Sequence, residues 1–156
     1  MKILTFTLAD KHYGLKIDQV LRVIAMRPPT PVPETADFVE GVISLRGKII
    51  PLINLRKKFS LSAGFVTKTS RIIVCRLDTY FVGVIVDSVL DVLTLEDSQI
   101  TPPDDVLKNV SYLLGVLRKS NDIFLVIDMQ SLLSHEAKVD LDHIRERVEI
   151  RKRACA

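Results

Sequence analysis

Residues 3–24, ILTFTLADKHYGLKIDQVLRVI, lie without a gap on residues 72–93, IIVCRLDTYFVGVIVDSVLDVL. Ile3, Leu8, Gly14, Asp18, Val20, Leu21 and Val23 meet identical residues in this alignment. A second pair of segments, 41–59 and 115–133, also aligns gap-free: Gly41-Val42 falls on Gly115-Val116, Ile49 on Ile123 and Ile53 on Ile127. The special positions agree as well. Gly47 falls on Asn121, and both tolerate the positive φ of a tight hairpin turn. Asn54 falls on Asp128, and both are good N-caps, here for short helices at 55–59 and 129–133. An internal duplication that keeps turn and cap chemistry decides the fold.

Within each copy the strands are short. In the first they are expected at 3–8, 13–17, 20–24, 41–46 and 48–53; in the second at 72–77, 81–86, 89–95, 114–119 and 123–127. A crossing with Pro28, Pro29, Pro31 and Pro33 excludes both helix and central strand between the third and fourth. About five strands per copy imply a mainly β chain of two small five-stranded antiparallel barrels packed together. The expected division is one domain over 1–137, made of units at about 1–65 and 66–137 joined by the polar segment 60–70. A C-terminal helix and basic tail follow over 138–156, with Leu141, Ile144 and Val148 at helical spacing.

Composition narrows the function. The 156 residues are 47% hydrophobic and 26% charged, which excludes wholesale disorder, and contain no Trp. No apolar run approaches the roughly 18 residues of a membrane span, and residues 1–6 are too interrupted for a signal peptide, so a cytoplasmic protein is expected. Cys75 lies in an apolar run and reads as a buried thiol; Cys155 is terminal, and two such cysteines make no disulfide framework. The net charge of +3 is matched by Arg145, Arg147, Arg151, Lys152 and Arg153 against Glu146 and Glu149, leaving the body neutral. That argues against the alternative of a nucleic-acid-binding barrel with a basic arm, which wants a basic face carrying aromatic platforms.

Motifs for chemistry are missing. His12, His135 and His143 have no metal-ligand spacing, and no glycine-rich phosphate loop occurs. Asp18 and Asp87 resemble a carboxylate pair only because the chain is duplicated; a turn or cap role is expected. An enzyme would break the symmetry with one unmatched reactive residue. The least symmetric stretch is 41–51, whose copy lacks both Arg46 and Pro51. No catalytic residue, metal or cofactor is expected, and what remains is a surface for other proteins.

The stretch 38–56, FVEGVISLRGKIIPLINLR, resembles the signature of the CheW family of chemotaxis coupling proteins. Tyr13-Gly14, Val20, Pro31-Val32-Pro33, residues 82–89 and Leu114-Gly115 fall where that family has them. The resemblance covers about residues 3–133 and implies two packed SH3-like barrels in a non-enzymatic adaptor. It implies, as partners, the histidine kinase CheA and the cytoplasmic tips of methyl-accepting chemoreceptors, at arrays on the inner face of the membrane. It implies neither nucleic-acid binding nor direct membrane insertion. With no response regulator or kinase core expected beside the barrels, the reading is the adaptor alone. Carried over by position, kinase-binding falls on Leu4, Ile17 and Val20, and receptor-binding on Gly41, Arg46, Gly83, Val89 and Val92. The family usually has Asn where Ser44 stands and often an acidic residue where Arg22 stands; a reversed charge alters partner choice.

Overall fold

The computed structural model describes residues 1–61, 66–78, 80–104 and 110–133. The strands are β1 (Lys2–Leu8), β2 (Lys11–Lys16), β3 (Val20–Ala25), β4 (Val39–Leu45), β5 (Lys48–Asn54), β6 (Arg71–Leu77), β7 (Tyr80–Val86), β8 (Ser88–Thr94), β9 (Ile100–Thr101), β10 (Leu113–Lys119) and β11 (Asp122–Ile127). One-turn helices, α1 (Leu55–Lys58) and α2 (Met129–Leu132), follow β5 and β11. Asn54 caps α1 as expected, its Oδ1 accepting from the Lys57 N–H at 3.3 Å. Asp128 precedes α2 and accepts from the Ser131 hydroxyl at 2.7 Å. The expected C-terminal helix lies outside the described residues.

The strands form two sheets, ordered β8-β1-β2-β11-β10-β9 and β3-β6-β7-β5-β4. The first hairpin of each repeat therefore sits in the sheet built by the rest of the other repeat. The sequence units 1–65 and 66–137 do not coincide with the two sheets. Among the described residues all strand pairings are antiparallel except β2 with β11 and β5 with β7, which are parallel and each join strands of different repeats. This departs from the expectation of purely antiparallel barrels. The physical reason is that β2 and β11, and likewise β5 and β7, are not consecutive in the chain, and only strands joined by a tight hairpin are bound to run antiparallel.

The core follows this exchange. A shared cluster, including Phe6, Leu15, Ile53, Leu55, Val84, Ile127 and Met129, lies between the sheets. Each sheet also encloses a cluster of its own: Ile3, Leu117, Phe124 and Val126 in the first, Ile50, Leu52, Ile72 and Val74 in the second. Four successive residues of β1, Ile3 to Phe6, are all buried, so that strand is covered on both faces. Four aromatics form one seam. Phe6 stacks on Tyr13, Tyr13 on Phe59 at 5.7 Å between centroids, and Phe59 tilts against Tyr112. Phe6 and Tyr13 are buried, so the seam offers no open platform for bases. Cys75 is fully buried, and burial pushes its thiol up to about 12, which makes it inert at neutral pH.

The two points where the chain passes between sheets are pinned in related ways. Gln19, between β2 and β3, donates from Nε2 to Asp128 Oδ1 at 2.5 Å and accepts from the Met129 N–H at 3.1 Å. Asp87, between β7 and β8, takes a two-pronged bond from Arg56 of α1: Nε to Oδ1 at 2.8 Å and Nη2 to Oδ2 at 2.5 Å. Asp87 Oδ2 also accepts from the Ala9 N–H in the β1–β2 turn at 2.8 Å. A turn role for Asp87 was legible in the sequence; its pairing with Arg56, supplied by the other repeat, was not.

Burial alone pushes the Asp87 carboxyl up, but Arg56 and the Ala9 amide outweigh it and hold the group below its ordinary value. A depressed acid stabilises the fold fully above its unfolded pKa of about 3.9, and that contribution is lost as pH falls through the folded value. Asp87→Asn is therefore expected to cost about 1–3 kcal/mol near neutrality. Urea melts of both proteins should show the gap shrinking as pH falls below about 4, the ordinary carboxylate value; a gap that stays constant with pH contradicts the assignment.

Candidate functional site

Two sheet edges expose apolar side chains, and they are repeat equivalents. On β3 the exposed residues include Leu21 and Val23, 50% and 39% accessible; on β8 they include Leu90 and Val92, 44% and 51%. Both strands are bulged against the neighbour they pair with, β3 between Val20 and Arg22, β8 opposite the Leu4–Phe6 interval. A bulge twists an edge away from casual pairing with other chains. In β8 the buried Thr5 hydroxyl fills the bulge, donating to the Asp91 carbonyl and accepting from the Asp91 N–H, each at 2.9 Å. The two edges differ in charge: Arg22 lies between Leu21 and Val23, Asp91 between Leu90 and Val92.

The β4–β5 hairpin brings Arg46 to the β3 edge. Arg46 and Gly47 form its turn with φ of 49° and 79°, the backbone that suits a two-residue hairpin. Gly47 behaves as expected. At the equivalent β10–β11 turn the positive φ falls on Ser120, the counterpart of Arg46, rather than on Asn121. Arg46 lines a cleft of about 100 Å³ with Leu21, Arg22, Leu45, Lys48, Ile50 and Phe81. Lys48 Nζ rests 4.1 Å above the Phe81 ring.

The residues singled out in the sequence fall into three environments. Leu4 is 6% accessible and belongs to the shared core, with Ile17, Val20 and Val89 packed half-buried against the same cluster. Val92 is exposed and sits opposite Leu4 in the β1–β8 register. Gly41 and Gly83 are interior. A Cβ on Gly41, whose φ is +140°, would lie 2.1 Å from the Thr30 carbonyl oxygen, which itself accepts from the Val42 N–H at 2.9 Å. A Cβ on Gly83 would lie 2.5 Å from Leu52 Cδ2. The structure thus joins Leu4, Val89 and Val92 in the first sheet and separates them from Arg46. Val20 belongs to the β3 edge, next to the cleft that holds Arg46. Sequence reasoning missed Leu21 and Leu90, because an apolar residue in a short strand reads as core.

Among the described residues, no group of three or more His, Cys, Asp or Glu could hold a metal, and no helix is long and apolar enough to cross a membrane. The family model of the CheW-like domain matches residues 2–137. This chain belongs to the CheW family. Chemotaxis protein CheW of Klebsiella aerogenes is 33% identical over 145 residues, covering 92% of this chain and 87% of that one. Chemotaxis protein CheW of Bacillus subtilis is 32% identical over 138 residues, covering 87% and 88%. The crystal structure of the scaffolding protein TtCheW from Thermoanaerobacter tengcongensis superimposes with a TM-score of 0.79 at 35% identity, over 87% of this chain and 89% of that one. The mainly β, two-barrel architecture expected from the duplication is the architecture of this family.

The glycine and arginine of the CheW signature are separable by experiment. Gly41→Ala forces a methyl into a backbone carbonyl and should cost more than about 2 kcal/mol or prevent folding. Arg46→Gly removes the side chain while relieving a left-handed φ, so thermal melting should show equal or greater stability, by up to about 1 kcal/mol. Loss of stability in Arg46→Gly would show that the arginine holds the hairpin together.

Proposed function

We propose that this chain is a non-enzymatic chemotaxis adaptor that couples chemoreceptors to the histidine kinase CheA. The observation that carries the reading is the family match across nearly all of the two-barrel body, with relatives named for chemotaxis and a structural neighbour described as a scaffolding protein. Two outward edges on one interlocked body suit a protein that holds two partners at once. In this reading the protein works on the cytoplasmic side of the membrane, at receptor arrays, and needs no cofactor.

The kinase surface of this proposal is the half-buried pair Ile17 and Val20, with Leu4 inside the shared core against which they pack, supporting that surface rather than touching the partner. The receptor-binding residues of this proposal fall in two patches that the fold keeps apart, Arg46 beside the β3 edge and Val89 and Val92 on the β8 edge, while Gly41 and Gly83 serve them by letting backbone and side chains approach closely. Leu4→Asp is a poor probe, since a carboxylate there would be buried in the shared core.

Receptor-bearing membranes and purified CheA from the same organism supply the test. CheA should sediment with the membranes more strongly when the protein is added. Ile17→Lys should lower CheA retention while keeping the adaptor on the membranes, and Arg46→Gly should release it from the membranes while keeping CheA binding. Each change is expected at about tenfold or more in affinity if the side chain is central to its interface. If the protein binds neither partner, the adaptor reading fails; if both variants lose both partners equally, the two-surface assignment fails.

A further inference from the structure

The cleft between β3 and the β4–β5 hairpin carries three cations, Arg22, Arg46 and Lys48, and no acidic residue. Among the described residues none of the three has a carboxylate partner; the ion pairs of Arg56 with Asp87 and of Lys57 with Glu40 lie outside the cleft. The Arg22 Nε is shut off from solvent with no acceptor. Its guanidinium has lost part of its hydration without gaining a hydrogen bond at that nitrogen, which strengthens its attraction for any carboxylate that reaches it. The rest of the wall is apolar: Leu21, Leu45, Ile50 and Phe81.

The fold does not impose this charge. At the repeat-equivalent positions in the other sheet, Arg22 is replaced by Asp91, Arg46 by Ser120 and Lys48 by Asp122. Like charges gathered in one small cleft repel one another and cost stability. A binding partner of opposite charge offsets that cost.

We infer that this cleft receives a carboxylate side chain from a partner protein, an acidic residue neighboured by an aliphatic one, with Arg22 and Arg46 on the carboxylate and Leu21 and Phe81 on the aliphatic side chain. The identity of that partner rests on the adaptor reading above, in which it is the receptor. The chemistry of the cleft stands on its own. A planar guanidinium can grip a carboxylate with two parallel bonds, which a lysine cannot reproduce.

Binding of the full chain to receptor-bearing membranes is measured at low and raised salt for the wild type, Arg22→Lys and Arg22→Glu, with melting temperatures alongside. Wild-type binding should weaken with salt. Arg22→Glu should bind about tenfold or more weakly with a flattened salt dependence, and Arg22→Lys should fall between. Arg22→Glu should melt at or above the wild-type temperature, because the reversed charge relieves the crowding of cations. Wild-type affinity in a folded Arg22→Glu overturns the carboxylate site, and a clear drop in its melting temperature contradicts the crowding.

A partner-free readout separates the receptor assignment from the cleft chemistry. A soluble peptide of alternating leucine and glutamate should shift the Nε–H resonances of Arg22 and Arg46 in the wild type, and a leucine–lysine peptide should not. If the membranes fail to bind the protein but the acidic peptide shifts both resonances, the receptor assignment falls and the cleft stands. If the peptide shifts neither, the cleft inference falls.

Discussion

Parallel pairing of β2 with β11 and of β5 with β7 is the constraint on which the rest of the structure depends. Each pair joins strands from different repeats, so neither sheet can be completed by one half of the chain. The shared core between the sheets, the aromatic seam and the two pinned crossings all follow from it. Gln19 and Asp87 stand where the chain passes from one sheet to the other, and each is tied to the first turn of a short helix belonging to the other repeat. Non-local pairing of this kind costs loop-closure entropy before it gains contacts. The clamps at the crossings hold the closed arrangement once formed.

The same constraint decides what is left for partners. With the first hairpins exchanged, β3 and β8 become edges of opposite sheets at equivalent places, each with a leucine and a valine exposed. Duplication alone would make these edges alike. Single changes at paired positions make them different: arginine against aspartate at 22 and 91, arginine against serine at 46 and 120. A body of this design presents two unlike surfaces in a fixed relation, as an adaptor requires.

Much of the fold was legible in the sequence. The repeat was readable from Gly14 and Gly83, Asp18 and Asp87, and Val20-Leu21 and Val89-Leu90, and the strand positions followed from it. The cap at Asn54 and the turn at Gly47 were readable because they depend on local chemistry. The exchange of hairpins was not, because a strand buried on both faces has the same apolar pattern in either sheet. Arg46 stood out because its copy is serine. Leu4, Gly41 and Gly83 were singled out as site residues through the family resemblance alone, and only the assembled fold shows what surrounds them, with Leu4 in the shared core, Thr30 against Gly41 and Leu52 against Gly83. The ion pair of Arg56 with Asp87 lay beyond any spacing rule, as the partners come from different repeats.

The claim that the exchanged strands make one cooperative body is tested most directly by native-state hydrogen exchange at rising urea concentrations. Amides of β2 and β11 in one sheet and of β5 and β7 in the other should converge on a single opening free energy with a single denaturant dependence. If the amides of one sheet open at a distinctly lower free energy while the other sheet stays protected, the sheets are independent and the interlocked account is wrong.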